Sequence, residues 1–199
     1  MLNLISKKWR AFRSGEDGSI IAESVIMFPT LFAAVLATFV FFDAFRNQAI
    51  NVQANYTIAD SFSRQEEDVT NTQLVNTWRL HRFLTNSSTL TRVRVSVISY
   101  DEDDDSHRIV WSRAKGGGAA YTDRPISVLG LNKNDIPIMP NEEILLVIQT
   151  EVDYEPRFSI GFGAFTFENT TYNRPRSNAE NICYNHNGTN ANSICPIGS

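Results

Sequence analysis

The chain has 199 residues, with 18 basic and 22 acidic side chains for a formal charge of −4, and 42% of its residues are hydrophobic. That length supports one domain with at most a small appendage. The acidic balance argues against a nucleic-acid partner, and it offers no polycation for anionic lipid. Four of the basic and two of the acidic residues precede Ser19, so the remainder holds 14 basic against 20 acidic residues, a charge of −6.

Met1 to Gly18 carries no core pattern and reads as a cytoplasmic leader. Between Glu23 and Asp43 lie nineteen residues without a charge, most of them Val, Ile, Leu, Phe, Ala or Met. At ~1.5 Å per residue such a run makes a helix of roughly 28 Å, close to the hydrocarbon thickness of a bilayer. It predicts a single transmembrane helix over residues 19–45. Lys7, Lys8, Arg10 and Arg13 precede it and only Arg46 follows closely, so the N-terminus is expected inside and the long C-terminal part outside. A cleaved secretory signal fits less well: its apolar core is shorter, and Asp43 to Asn51 offers no small-x-small triplet.

Glu23 sits one turn inside the apolar segment, where a carboxylate is costly. A cut after Gly18 gives Ser19 a new α-ammonium group. Four residues apart, that cation and Glu23 share a helix face, and the carboxylate also complements the helix dipole. Pro29 lies inside the same helix, removing one backbone donor and favouring a kink.

These residues carry a resemblance. A basic leader, Gly18, Glu23 five positions on and Pro29 six further resemble the opening of TadE/TadG-like minor pilins (pseudopilins) of the tight-adherence (Flp) type IV pilus system. Tyr154-Glu155-Pro156 after a strand and Arg174-Pro175-Arg176 are weaker echoes of the same family. Ser19 departs from the Phe that many type IV pilins carry after the cut, and Ser24 departs from the Glu-Tyr of major Flp pilins. The resemblance implies cleavage between Gly18 and Ser19 by a prepilin peptidase, docking of the helix through Glu23, and assembly with other pilin and minor pilin subunits and the Tad machinery. It implies a bacterial inner-membrane location, with passage into the pilus. It implies no enzyme activity and no cofactor. The alternative is an uncleaved, signal-anchored periplasmic scaffold or binding domain.

From Thr30 to Lys115 there is no Gly and no Pro, which permits long elements. Phe45, Ala49, Val52, Tyr56, Ala59 and Phe62 recur at helical spacing. The helix is therefore expected to continue to about Glu67 with that stripe on a sheet, and Asn47, Asn51 and Asn55 on the polar remainder. Thr70 with Gln73 fits a capping box and Val69 with Leu74 a hydrophobic staple. The second helix is expected to bury Leu74, Trp78, Leu80, Phe83 and Leu84.

Thr91 to Tyr100 alternates as a half-buried strand, and His107 to Arg113 returns. The acidic run between them, Asp101 to Asp105, starts like a calcium loop. Ser106 and Ser112 stand where an EF-hand needs Gly and Glu, so it reads as a solvated tip and no metal is assigned. Gly116 to Gly118 reads as a flexible turn and Thr122 to Asn141 as an irregular crossing. Ile144 to Tyr154 is the strongest strand, continuously apolar at first as in a central position. Phe158, Ile160, Phe162, Phe165 and Phe167 form an aromatic run read mainly as core, with a last strand near Ala164 to Tyr172.

Residues 46–172 are thus expected to form an extracytoplasmic α+β pilin-like domain with an antiparallel sheet of about four strands. Residues 173–199 are expected to form a loose Asn-rich tail closed by a Cys183–Cys195 disulfide, which an exported location permits. His81, His107 and His186 fall in separate elements, His81 reading as a polar helix residue. The chain shows no G-x-S-x-G, H-E-x-x-H or C-x-x-C motif.

Overall fold

The computed structural model describes residues 17–158, 161, 163–176, 182–186 and 193–196, and of residues 17–20 the backbone alone. Leader residues 1–16, Ile160, Phe162 and most of the C-terminal tail lie outside the described residues. The chain forms two compact units, Met1–Ala44 with Pro156–Gly163, and Phe45–Glu155 with Ala164–Ser199.

Helix α1, Asp17–Ser63, runs for 47 residues without a break, passing through Pro29. In the first unit most of its apolar side chains are exposed, Val40 being buried. Ile21, Val25, Ile26, Met27, Phe28, Leu31 and Phe32 are all exposed. Thr30 and Thr38 turn their hydroxyls onto the carbonyls of Ile26 and Ala34, each at 2.9 Å. Such back-bonding hides polar atoms that an apolar environment would penalise. Phe39 meets Phe158 edge-on at 6.1 Å.

The second unit is α+β. Its main sheet has five strands, β2 (Thr91–Asp101), β3 (Ser106–Lys115), β4 (Tyr121–Pro125), β5 (Ile144–Tyr154) and β6 (Phe165–Asn173), in the order β4-β3-β2-β5-β6 and antiparallel throughout. A separate two-stranded parallel ribbon pairs β1 (Val69–Thr70) with β7 (Tyr184–Asn185). The expectation of about four strands is therefore corrected to five plus the ribbon. The addition to the main sheet, β4, starts one residue before the segment read as an irregular crossing and otherwise falls within it. Its residues are half or fully exposed at the sheet edge, so it has no alternating apolar signature.

One face of the sheet carries Val93, Val95, Val97, Trp111, Leu146 and Ile148, covered by Ile58 and Phe62 of α1 and Leu74 of α2 (Asn71–Leu84). The opposite face carries Ile98, Ile109, Leu145 and Val147 and is covered by Ile126, Leu129, Leu131, Ile136 and Met139. The crossing that looked irregular thus supplies a second core layer through two 3-10 turns, Ile126–Leu129 and Lys133–Asp135. Burial on both faces explains why the first half of β5 is continuously apolar. The β2–β3 ladder shifts register between Val97 and Ile98, leaving Val110 of β3 as the extra residue of a bulge.

Three packing expectations are corrected. First, α1 ends at Ser63 rather than near Glu67, and its buried face is Asn51, Ala54, Asn55, Ile58, Ala59 and Phe62. Phe45 and Tyr56, both in the expected stripe, are exposed. The true face is rotated because two asparagines, read as solvent-facing, go inward. Second, α2 buries Leu74 and His81 and leaves Leu80, Phe83 and Leu84 exposed. Third, Phe158 and Phe165 of the aromatic run are exposed, and Phe167 is half-buried against Tyr154. The edge position of β6 gives those rings one neighbouring strand only.

The N-terminus of α2 follows its capping signal halfway. The Thr70 hydroxyl accepts from the Gln73 N–H at 3.2 Å, whereas the Gln73 side chain bonds Gln65. The glycine turn is tightly packed at Gly116, where φ is +86° and a Cβ would stand 2.0 Å from the Thr91 carbonyl oxygen. That same carbonyl accepts the Trp78 indole N–H at 2.9 Å, so the position has room only for glycine.

Of the tail, residues 182–186 and 193–196 are docked rather than loose. Cys183 and Cys195 are joined in a disulfide. The Val69 N–H donates to the Cys183 carbonyl at 2.8 Å, and Tyr184 and Ile194 exchange two backbone bonds at 2.9 Å. The Trp111 indole donates to the Ile182 carbonyl at 2.8 Å, and Ile182 and Tyr184 are buried. Backbone pairing and the indole bond, which no sequence period announces, hold this segment in the first core layer.

Candidate functional site

The sequence singles out the start of α1. The helix begins at Asp17, so Gly18 and Ser19 lie in its first turn. Their side chains are outside the described atoms. Glu23 is exposed one turn further on, in the same unbroken helix as Pro29. Positions 19 and 23, four apart in that helix, share one face.

Two physical facts set this region apart. The helix is long and apolar enough to cross a membrane, and only 6% of its most apolar stretch is buried. A soluble protein's core helix of the same composition would be mostly covered. A helix this apolar on its exposed sides, uncovered among the described residues, could cross a membrane. At ~25 cal/mol per Å², leaving so many Phe, Ile, Val and Leu side chains in water would forfeit on the order of 1.5–3 kcal/mol for each.

Within the second unit a buried polar network ties α1 to the sheet and to α2. The Asn55 amide donates to the Thr150 hydroxyl at 2.9 Å, the Asn169 carbonyl at 3.0 Å and the Ile148 carbonyl at 3.3 Å. The Asn51 amide donates to the Phe167 carbonyl at 3.4 Å. Its oxygen is then free to accept, and it takes the His81 Nε2–H at 2.9 Å. His81 is fully buried, and burial pushes its pKa down to about 4, so the ring is neutral at pH 7 with Nε2 as its donor. Phe167 and Asn169 lie on β6, one of the two edge strands of the sheet, so the asparagines occupy carbonyls at a sheet edge. Sequence periodicity missed Asn51, Asn55 and His81 because their polarity assigns them to solvent. The four- and three-residue spacing of Asn51, Asn55 and Ile58 was the available signal.

The other histidines stay apart. His107 packs against Tyr100 at 4.9 Å, and burial lowers its pKa, with Lys133 adding to the effect. His186 Nδ1 lies 3.0 Å from the Tyr184 hydroxyl. At the acidic tip, the Asp105 carboxylate takes the Tyr100 hydroxyl at 2.8 Å and the Lys133 ammonium. The Lys133 bond, then that of Tyr100, holds Asp105 below the usual carboxylate range. Among the described residues no group of three or more His, Cys, Asp or Glu is placed to hold a metal ion.

Tyr154, Arg174 and Arg176 each have structural partners. Tyr154 ends β5 beside Phe165 and Phe167, at ring distances of 5.3 and 5.7 Å. Arg174 pairs with Glu143 at 3.3 Å and donates to the Ile138 carbonyl at 3.2 Å. The Arg176 N–H donates to the Ser63 carbonyl, the last of α1, at 2.8 Å. No family model, curated protein or solved structure matches the chain.

Proposed function

We propose that this chain is a membrane-anchored minor pilin, or pseudopilin, that takes part in assembling a Tad-type pilus for surface adhesion. A single observation carries the reading: α1 exposes most of its apolar side chains between Ile21 and Phe42, yet holds Glu23 close to its start. A permanent anchor has no need of a carboxylate there. A subunit that must leave the bilayer and pack against other helices does, once proteolysis has created a cation for it. Gly18, Glu23 and Pro29 stand in the order that TadE/TadG-like openings show.

The chemistry is electrostatic and mechanical. The leader retains the precursor at the inner membrane with its N-terminus in the cytoplasm. A prepilin peptidase hydrolyses the Gly18–Ser19 bond, leaving a carboxylate on Gly18 and an ammonium on Ser19. In an apolar medium that ammonium and Glu23 attract strongly, within one subunit or between neighbours, and guide docking of the helix as it is extracted. Pro29 removes one rung of the backbone ladder and makes bending easier there.

Mass analysis of the mature N-terminus tests the processing step. The assembled protein is expected to begin at Ser19, and an intact Met1 would overturn it. Glu23→Ala is expected to be cleaved yet absent from sheared filaments; normal piliation in that variant would remove the docking role.

One observation favours an uncleaved, signal-anchored scaffold instead. The helix starts at Asp17, so the bond to be cut lies within its first turn and must be unwound for a peptidase to reach it. Shearing separates the readings, because a scaffold stays wholly in the membrane fraction.

A further inference from the structure

Nine large apolar side chains are exposed among the described residues of the second unit, and six of them gather at one end: Phe45, Leu80, Phe83, Leu84, Leu90 and Phe165. Phe83 is 80% and Leu90 74% exposed. Hydrogen bonds fix which end this is. Leu80, Phe83 and Leu84 flank His81 in the last turns of α2, and the His81 ring bonds Asn51. The Leu90 carbonyl accepts the Asp153 N–H at 3.1 Å. Phe165 pairs with Tyr154 two residues from Phe167, whose carbonyl takes the Asn51 amide. Asn51 is thus the common reference point. It lies six residues beyond Phe45 in α1, about 9 Å along a helix axis.

We infer that this end of the second unit rests on the bilayer surface, with the last turn of α2, Leu90 and Phe165 entering the headgroup region. The inference rests on the reading of α1 as a membrane span. If the hydrocarbon edge falls near Phe45, the patch stands within about 10 Å of it, the depth over which interfacial helices bury their apolar faces. Arg79 and Arg82, exposed on the same turns of α2, and Arg46 on α1 supply cations at that level, suited to phosphate headgroups. Asp153 and Glu155 are the acidic side chains lining the hollow beside Leu90; the Asp153 carboxylate is held by the Thr166 hydroxyl at 2.7 Å. The occupant is lipid because the helix that reaches the patch leads directly into the apolar run. Before assembly, this contact holds the domain down against its own membrane, and extraction must peel it off.

The test uses the full-length chain in phosphatidylcholine–phosphatidylglycerol vesicles containing lipids brominated either just below the glycerol or at mid-chain. Tryptophan is placed by Phe83→Trp, Leu90→Trp, Ile138→Trp and Phe32→Trp, and its emission is read in excess of the parent's three tryptophans. All four sites are exposed, so folding is retained. Phe83→Trp and Leu90→Trp are expected to lose emission to the shallow bromines more than to the deep ones. Ile138→Trp, 95% exposed and beside the Arg174 bond, is expected to lose none, and Phe32→Trp to lose most to the deep bromines. Quenching of Phe32→Trp with none of Phe83→Trp or Leu90→Trp overturns the surface contact and leaves the span standing. Absence of quenching at Phe32→Trp overturns both. Equal quenching at Ile138→Trp, or a concentration-dependent blue shift of Phe83→Trp without lipid quenching, also overturns it; the latter assigns the patch to a second copy.

Discussion

The two stretches of α1 reverse each other. From Ile21 to Phe42 the helix carries apolar side chains outward and has almost none of them covered. From Asn51 to Ser63, in the same helix, three polar residues, Asn51, Asn55 and Ser63, are among the most deeply buried of the chain. In the first stretch the expected surroundings are themselves apolar, so a side chain needs no protein cover. In the second, the helix lies on strands β5 and β6, and its asparagine amides, compact donors, reach the Ile148, Phe167 and Asn169 carbonyls. Polarity therefore says where a side chain goes only once its surroundings are known.

The sharpest way to break this comparison is to charge the first stretch. Phe32→Arg with Val35→Arg adds about 2.5–3.5 kcal/mol per substitution to insertion at a span centre. The double variant is expected to leave the alkali-resistant membrane fraction; retention there would deny that this stretch meets lipid. A paired truncation compares the stretches directly. Phe62→Ala, at a fully buried position, is expected to cost about 3–5 kcal/mol in urea unfolding. Phe32→Ala is expected to leave that transition unmoved, since its ring does not belong to the unit that unfolds.

The buried network makes a pH prediction. His81 titrates near its ordinary value of about 6.5 when unfolded and at about 4 when folded. Between those values the unfolded state binds more protons, so stability is full above pH 6.5 and falls as the pH drops toward 4, by on the order of 3 kcal/mol. His81→Gln is expected to flatten that part of the profile; an unchanged slope would place the titration elsewhere. Smaller still is Asn55→Ala, which leaves the Ile148 and Asn169 carbonyls without this donor and is expected to cost about 1–3 kcal/mol. A variant as stable as the parent would mean that water replaces the amide.

Much of the architecture was readable in advance, for reasons that can be named. Strand β5 runs from Ile144 to Tyr154 as expected, because continuous apolar character followed by alternation reports a strand covered on both faces at one end and on one face at the other. Strands β2 and β3 were readable from alternation, and the start of α2 from Thr70 and Gln73. What escaped was whatever depends on a neighbour. Strand β4 is recruited by the edge of β3 and has little apolar pattern of its own. Leu80, Phe83 and Leu84 look like core residues, but His81 takes the inward position through its bond to Asn51. The cysteine-bearing segment looked like a loose tail and is paired through the Val69 and Tyr184 backbones.

At the candidate site the legible part was the order Gly18, Glu23, Pro29 and the length of the charge-free run. These are covalent facts, and their consequences follow from helix geometry and the cost of charge in lipid. The inward turn of the asparagines, the second core layer beneath Ile126 to Met139 and the apolar residues left outside at the end near Phe45 were decided by the tertiary structure alone. The physical reason is that hydrogen bonding and packing are satisfied between elements far apart in the chain. A local period records one residue's preference for water, and a distant carbonyl or an uncovered face can outweigh it.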